Sequence, residues 1–153
     1  MQRGGAGASI SLDTTHPIAN SALSTCLRLD APGGGGIANT GFWGVPVKAR
    51  TTYRVSFYAK TDRASGASLI VSLESDDGQT THASSAPVAL LPGDWRQYQT
   101  TLVTSDGVTP SGRNRFVIST TDTGVFWFNL VSLFPPTFKD RPNGNRIDLM
   151  QLL

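Results

Sequence analysis

Short runs in which apolar and polar residues alternate recur along the chain, and turn-forming residues close each run. One clear example is Thr52-Tyr-Arg-Val-Ser-Phe-Tyr-Ala-Lys60. Alternation with a period of two is typical of half-buried β-strands. Strands are predicted at residues 9–13, 25–30, 41–47, 52–60, 67–74, 81–84, 96–103, 115–120 and 125–133. Helical periodicity is absent before Pro135, so the pattern predicts an all-β fold, an antiparallel two-sheet β-sandwich of the jelly-roll type.

The end of the chain departs from this pattern. Pro135 and Pro136 end the last predicted strand, because proline cannot donate a hydrogen bond to a sheet. Residues 147–153 are apolar at helical spacing, which predicts a short helical or extended tail. We therefore predict a flexible lead-in at 1–8, the sandwich at 9–135, and a linker with the start of a following domain at 136–153. A surface helix folding back on the sandwich is the alternative for the tail.

Composition and charge exclude several classes of partner. The 153 residues suit one domain, and the ten arginines among the thirteen basic residues are spread without a basic run, at a net charge of +2. This distribution excludes nucleic acid as a partner. No apolar stretch approaches the roughly 20 residues needed to cross a bilayer, and the N-terminus lacks the apolar segment of a signal peptide. We expect no membrane partner.

The chain lacks the residues that hydrolysis of a glycosidic bond requires. Glu74 is the only glutamate, whereas glycosidases usually place two carboxyl groups around the scissile bond. Most of the ten aspartates fall in predicted turns, where they favour turn formation. His16 and His82 are far apart and belong to no metal-binding or nucleophile motif. We predict a non-catalytic chain without a catalytic cofactor.

One predicted strand face is rich in hydrogen-bonding side chains. In the strand at residues 52–60, Tyr53 and Phe57 belong to the row predicted to face the core, and the other row faces outward. If the strands at 52–60, 67–74 and 96–103 share a sheet, their outer face carries Arg54, Tyr58, Lys60, Ser72, Glu74, Gln97 and Gln99. An aromatic ring among such groups suits a sugar, whose C–H face stacks on the ring. An ordinary solvated face is the alternative.

Two tryptophans bear on the same question. Trp43 follows Asn39 in a passage from loop to strand that a ligand could approach, so both residues join the candidate carbohydrate-binding set. Packing of Trp43 into the core is equally open. Trp127 lies in a strand that is apolar on both faces, where it is predicted to share one face with Val131. Such a strand is covered on both sides, and a bound glycan or a neighbouring domain could provide the outer cover.

A structural calcium ion is a further expectation. Asp13 ends the first predicted strand and Asn129 lies in the last, and both offer oxygen atoms of the kind that Ca²⁺ prefers. Hydrogen bonding at turns and strand edges explains these two residues equally well.

Several stretches resemble the β-sandwich module of glycoside hydrolase family 51 α-L-arabinofuranosidases. They are Ile10-Ser-Leu-Asp13 with His16-Pro17, Ser21-Ala22-Leu23, Leu27-Arg-Leu29, Ile37 to Val47, Thr52 to Lys60, Val71 to Ser75, and the run from Trp127 to Leu149 that contains Phe-Pro-Pro-Thr-Phe-Lys-Asp-Arg-Pro-Asn-Gly-Asn-Arg. The likeness spans residues 9–153. In that family, a run like the last one joins the sandwich to the first helix of the catalytic barrel. Asn129 stands where the family often has Asp, which weakens the expectation of calcium.

The resemblance implies a jelly-roll module grouped with carbohydrate-binding families four and nine. It implies arabinoxylan or arabinan as ligand, the protein's own catalytic domain as partner, and secretion of the full-length parent enzyme. The predicted aromatic and amide-lined face adds xylan and related β-glycans to the candidate ligands. Two functions remain open at this point. The module could bind plant cell-wall polysaccharide, or it could brace the catalytic barrel through a face around Trp127 and Phe134 without binding sugar. A virion or receptor type of jelly roll has only topology in its favour.

Overall fold

The computed structural model describes residues 2–3, 7–141, 144–145 and 147–152. The strands in this part of the chain are β1 Gln2–Arg3, β2 Ser9–Asp13, β3 Cys26–Ala31, β4 Gly35–Asn39, β5 Thr52–Thr61, β6 Ala67–Ser75, β7 Thr81–Ser84, β8 Val88–Leu90, β9 Gly93–Val103, β10 Asn114–Thr120 and β11 Gly124–Phe134. A 3₁₀ turn at Phe138–Asp140 and the short helix α1 Ile147–Met150 follow. No helix in the described segments is long and apolar enough to cross a membrane.

The strands form two antiparallel sheets that pack face to face. Sheet I has the order β1-β4-β10-β6-β7, with β8 also paired to β6, and sheet II has the order β2-β3-β11-β5-β9. The predicted all-β sandwich is confirmed. Consecutive strands often lie in different sheets, and the antiparallel pairing joins segments that are distant in sequence, as in β11 with β3 and β5.

The core forms where the two inner faces meet. Sheet II contributes the predicted row of β5, including Val55 and Phe57, and sheet I contributes the alternating row of β6, including Leu69 and Leu73. Phe126 and Phe128 of β11 complete the centre, and all of these side chains are almost fully buried. The alternation of apolar and polar residues therefore predicted the core-facing rows of β5 and β6 correctly, because this alternation arises when one face of a strand is buried.

The strand predicted at residues 41–47 is wrong. The strand of this region is β4, which starts within a run of four glycines at residues 33–36, and residues 40–46 form a loop. A Cβ atom added to Gly36 would lie 2.6 Å from the carbonyl oxygen of Ile118. Glycine therefore allows β4 to lie directly against β10 at this point.

The two ends of the chain also show new features. Residues 2–3, within the predicted lead-in, pair with Ile37 and Gly36 of β4 as strand β1. The apolar residues at the other end form α1, a single helical turn. The prediction that residues 136–153 begin a following domain stays a prediction.

Candidate functional site

A groove of about 530 Å³ lies on the outer face of sheet II, where β5, β9 and β11 meet the tail. Two predicted site residues, Arg54 and Gln99, line it together with Phe134. The complete lining is Arg54, Val55, Ser56, Gln99, Thr100, Thr101, Ser132, Phe134, Pro135, Thr137 and Arg141. The groove therefore combines one aromatic ring with guanidinium, amide and hydroxyl groups.

A β-bulge in β11 determines which side chains face this groove. The pairing of β11 with β5 shifts between Asn129 and Ser132, and Leu130 in the bulge has a φ of 48°. Asn129 supports the bulge, because its side-chain oxygen accepts a hydrogen bond from the Leu130 N–H at 2.8 Å. After the bulge, Ser132 and Phe134 pair with Ser56 and Arg54, which belong to the outward row of β5. The bulge thus brings a ring and a hydroxyl to the outer face.

This arrangement corrects the predicted faces of β11. Strict alternation assigned Val131 to the same face as Trp127, but the inserted residue reverses the alternation beyond Asn129. Val131 instead lines an apolar hollow with Ile10 and Leu27. Sequence reasoning consequently missed Ser132 and Phe134 as groove residues, and the only local signal was an asparagine within an apolar strand.

Tyr58 and Gln97 extend the same outer face beyond the groove. Tyr58 pairs with Gln97 on β9, and Ser56 pairs with Gln99 one step along the strands. Both glutamines are exposed and Tyr58 is half-buried. The structure therefore brings Arg54, Tyr58, Gln97 and Gln99 onto one surface, as predicted from β5 and β9, and their role in binding stays a prediction.

Glu74 and Ser72 do not belong to this surface. The prediction assumed that β6 shares a sheet with β5 and β9, whereas β6 lies in sheet I. The Glu74 carboxylate is 1% exposed and lies on the opposite side of the sandwich, where it accepts hydrogen bonds from Arg115 Nη2 at 2.9 Å and from Ser72 Oγ at 2.9 Å. Its placement beside Gln97 and Gln99 is wrong, because alternation predicts the face of a strand but not its sheet.

Trp43 and Asn39 lie in yet another place. Asn39 ends β4 of sheet I, and its side-chain oxygen accepts a hydrogen bond from the Gly41 N–H at 2.8 Å. Trp43 is 89% exposed, as is its neighbour Phe42. The structure excludes packing of Trp43 into the core, and neither Trp43 nor Asn39 lines the groove on sheet II.

The outer cover over Trp127 is a segment of the chain itself. The β2–β3 loop, residues 14–25, places the His16 ring against Trp127 with ring centroids 4.6 Å apart, and Trp127 is 6% exposed. The Trp127 Nε1–H donates to Asp13 Oδ2 at 2.7 Å, and the Trp95 Nε1–H donates to the His16 carbonyl at 3.2 Å. The Lys60 ammonium lies 5.2 Å from the Trp127 ring, at cation–π distance. Part of the outer face of sheet II is therefore closed.

Asp13 is the electrostatic centre of this closed part. Its carboxylate accepts hydrogen bonds from the side chain and backbone N–H of Thr15 and from Trp127, and His16 Nδ1 lies 2.9 Å from Oδ2. Hydrogen bonds from Thr15 and then from Trp127 hold the pKa of Asp13 well below its ordinary value. This carboxylate is charged at neutral pH and anchors the β2–β3 loop to the sheet.

The same contacts bear on the expected calcium ion. Both oxygens of Asp13 accept hydrogen bonds, while the Asn129 oxygen accepts from Leu130 and its nitrogen donates to the Thr25 carbonyl at 3.0 Å. As arranged, these two side chains do not fit a shared cation. In the described ranges there is also no group of three or more His, Cys, Asp or Glu side chains that could hold a metal ion. Calcium binding stays a prediction.

Comparison with known proteins identifies the family. The family model described as carbohydrate binding domain (CBM_4_9) matches residues 5–123, most of the chain. The chain belongs to this family. Together with the arabinofuranosidase relatives described next, this match confirms the predicted resemblance, and the family fits a non-catalytic module.

Relatives of this carbohydrate binding domain include arabinofuranosidases. A probable α-L-arabinofuranosidase A of Emericella nidulans is 37% identical over 131 residues, which cover 84% of this chain and 23% of that protein. The arabinose-bound structure of the α-L-arabinofuranosidase MgGH51 matches 99% of this chain and 27% of its own, with a TM-score of 0.82 and 26% identity. The domain thus spans about a quarter of each of these two relatives.

Other carbohydrate-binding modules share the fold. A family 16 carbohydrate binding module matches 84% of this chain and 86% of its own, with a TM-score of 0.57 and 18% identity. At this identity the likeness concerns the fold alone.

Proposed function

We propose that this carbohydrate binding domain is a non-catalytic module of an α-L-arabinofuranosidase that binds plant cell-wall polysaccharide. Arabinoxylan, xylan, arabinan or a related β-glycan is the proposed ligand, and the catalytic domain of the same enzyme is the proposed covalent partner. Because these polysaccharides lie outside the cell, secretion of the parent enzyme is part of the proposal. The arabinofuranosidase relatives support the ligand class.

The observation that carries the proposal is the open groove on sheet II. Phe134 is 40% exposed there, so part of its ring is free to stack on the C–H face of a sugar. Ser56 and Ser132, whose hydroxyl oxygens are 2.8 Å apart, and the exposed amide of Gln99 offer donors and acceptors for sugar hydroxyls. The volume lies in the ordinary range for ligand sites, about 300–1,000 Å³.

Affinity electrophoresis against arabinoxylan, xylan, arabinan and mixed-linkage glucan tests the proposal. We expect retardation of the wild-type domain on at least one polymer. Phe134→Ala and Gln99→Ala should each weaken that binding, by roughly tenfold for the ring. Phe134→Tyr keeps an aromatic face and should retain binding, and Gln79→Ala is the matched control, because Gln79 is exposed in the turn between β6 and β7 of the other sheet. Absence of retardation on every polymer would refute the proposal.

A bracing role is the second candidate, and the tail favours it. Ile147 and Gln151 line a mainly apolar pocket of about 290 Å³ with Pro46, Tyr53 and Pro135. Leu149 and Leu152 are exposed beside it. Contact with a catalytic barrel would bury this apolar surface. The bracing face was predicted around Trp127 and Phe134. The structure excludes Trp127 from it, because the β2–β3 loop covers that side chain, whereas Phe134 is exposed. If the catalytic domain of a parent enzyme that lacks this domain unfolds at the same temperature as in the full-length enzyme, bracing is contradicted.

A further inference from the structure

Two neighbouring aromatic side chains project from the loop that follows β4. Phe42 and Trp43 are each 89% exposed, and their rings form an edge-to-face pair with centroids 4.8 Å apart. Soluble domains usually bury such large apolar groups, and exposed clusters of them mark binding surfaces. The pair presents two aromatic faces that no part of the described chain covers.

Contacts at Gly44, Val45 and Val47 anchor the backbone of the loop directly after these rings. A Cβ atom at Gly44 would lie 1.8 Å from the Gly112 carbonyl oxygen, so the two backbones are in close contact there. The buried Asn114 side chain donates hydrogen bonds to the Val45 carbonyl at 2.9 Å and to the Ser111 carbonyl at 2.7 Å. The Val47 and Ser111 backbones exchange two more bonds. An anchored backbone reduces the entropy that the loop loses when a ligand docks.

The chemistry of the loop favours a neutral ligand. Residues 39–47 contain no charged side chain, and the residues near the rings in sequence include Asn39, Thr40 and Gly44. An acidic or basic partner would gain no ion pair from the loop itself, whereas a sugar needs an aromatic face with uncharged hydrogen-bonding groups at its edge.

We propose that Phe42 and Trp43 form a second carbohydrate-binding site, separate from the groove on sheet II, which stacks on a neutral sugar ring of the same polysaccharide. This inference rests on the proposed function for its ligand class. The groove is built from β5, β9, β11 and the tail, whereas the aromatic pair follows β4 of sheet I and lines no part of the groove. One polymer chain or two neighbouring chains could engage both sites, which would raise the overall affinity.

Isothermal titration of the 153-residue chain with xylohexaose and with an arabinoxylo-oligosaccharide tests this inference. We expect two sites per wild-type chain and one site in the Phe42→Ala/Trp43→Ala variant. The Phe134→Ala/Gln99→Ala variant should also retain one site. Thermal unfolding of the aromatic-pair variant should match the wild type, because both rings are exposed. Leu91→Ala removes a different exposed apolar side chain and should leave both sites intact.

The outcomes separate this inference from the proposed function. If the Phe42→Ala/Trp43→Ala variant binds with the same number of sites and the same affinity as the wild type, the second site is overturned while the groove remains. If the Phe42→Ala/Trp43→Ala variant loses all binding while the Phe134→Ala/Gln99→Ala variant binds as well as the wild type, the aromatic site is supported and the groove is refuted. A concentration-dependent dimer in sedimentation that the aromatic-pair variant abolishes, without any change in titration, would assign the rings to self-association. Failure of the wild type to bind either oligosaccharide would overturn both proposals.

Discussion

Asn114 should stabilise both the fold and the loop that carries Phe42 and Trp43. Its side chain is 2% exposed, and its amide donates to the Val45 and Ser111 carbonyls. Asn114→Ala removes both hydrogen bonds and leaves a small void. The bond to the half-buried Val45 is worth about 1 kcal/mol, the bond to the exposed Ser111 is worth less, and the lost packing brings the total to about 2 kcal/mol. For a chain of this length, that corresponds to a decrease in Tm of roughly 4–8 °C.

Urea unfolding at neutral pH measures this loss, and an unchanged m-value would show that the unfolded state is unaffected. Asn39→Ala is the matched control, because it removes one exposed hydrogen bond within the same loop and should cost less than about 0.5 kcal/mol. Chymotrypsin cleaves beside aromatic residues, so Asn114→Ala should accelerate cleavage at Phe42 and Trp43 by allowing local opening of the loop. If Asn114→Ala lowers the free energy of unfolding no more than Asn39→Ala does, and the rate of chymotrypsin cleavage is unchanged, the loop does not depend on the Asn114 amide.

Three further predictions concern the hydrogen bonds around Asp13 and the ion pair between Glu74 and Arg115. Trp127→Phe should lower Tm more than Trp95→Phe, because only the first removes a buried donor to a carboxylate, and equal shifts in thermal unfolding would contradict this. Asp13 has a lowered folded-state pKa, so its stabilising contribution is present above its unfolded pKa and is lost as pH falls. Urea unfolding from about pH 5 to pH 2 should therefore show a flatter stability profile for Asp13→Asn than for the wild type. Arg115→Met breaks the pair with Glu74 and should cost about 3 kcal/mol in urea unfolding, and a loss below about 1 kcal/mol would show that the pair is not needed.

Sequence periodicity was sufficient to predict the fold class and the inner faces. Alternation in β5 placed Tyr53 and Phe57 in the core, and both are almost fully buried. It also placed Arg54 and Tyr58 on the outer side together with the glutamines of β9. These predictions succeeded because the side-chain period within one strand is a local property that burial imposes directly on the sequence.

The partners of each strand could not be predicted in the same way. β6 shows the same alternation as β5, but it pairs with β10 in the opposite sheet, and Glu74 therefore lies far from Gln97. Strand pairing is a long-range property, and an inward row looks the same in either sheet of a sandwich. The bulge after Asn129 was equally hidden, because one inserted residue reverses the alternation without changing the composition of the strand. Phe134 reaches the groove only for this reason.

The β2–β3 loop divides the outer face of sheet II into a closed and an open part, and this division limits where a ligand can bind. A glycan could stack on Trp127 only if the loop moved away, which would break the hydrogen bonds from Trp127 to Asp13 and from Trp95 to His16. Breaking a buried bond to a carboxylate is costly, and stacking on one ring would have to offset that loss. The open part, around Gln99 and Phe134, requires no such rearrangement. An exposed Phe is therefore a better binding candidate here than a buried Trp, although tryptophan is the larger platform.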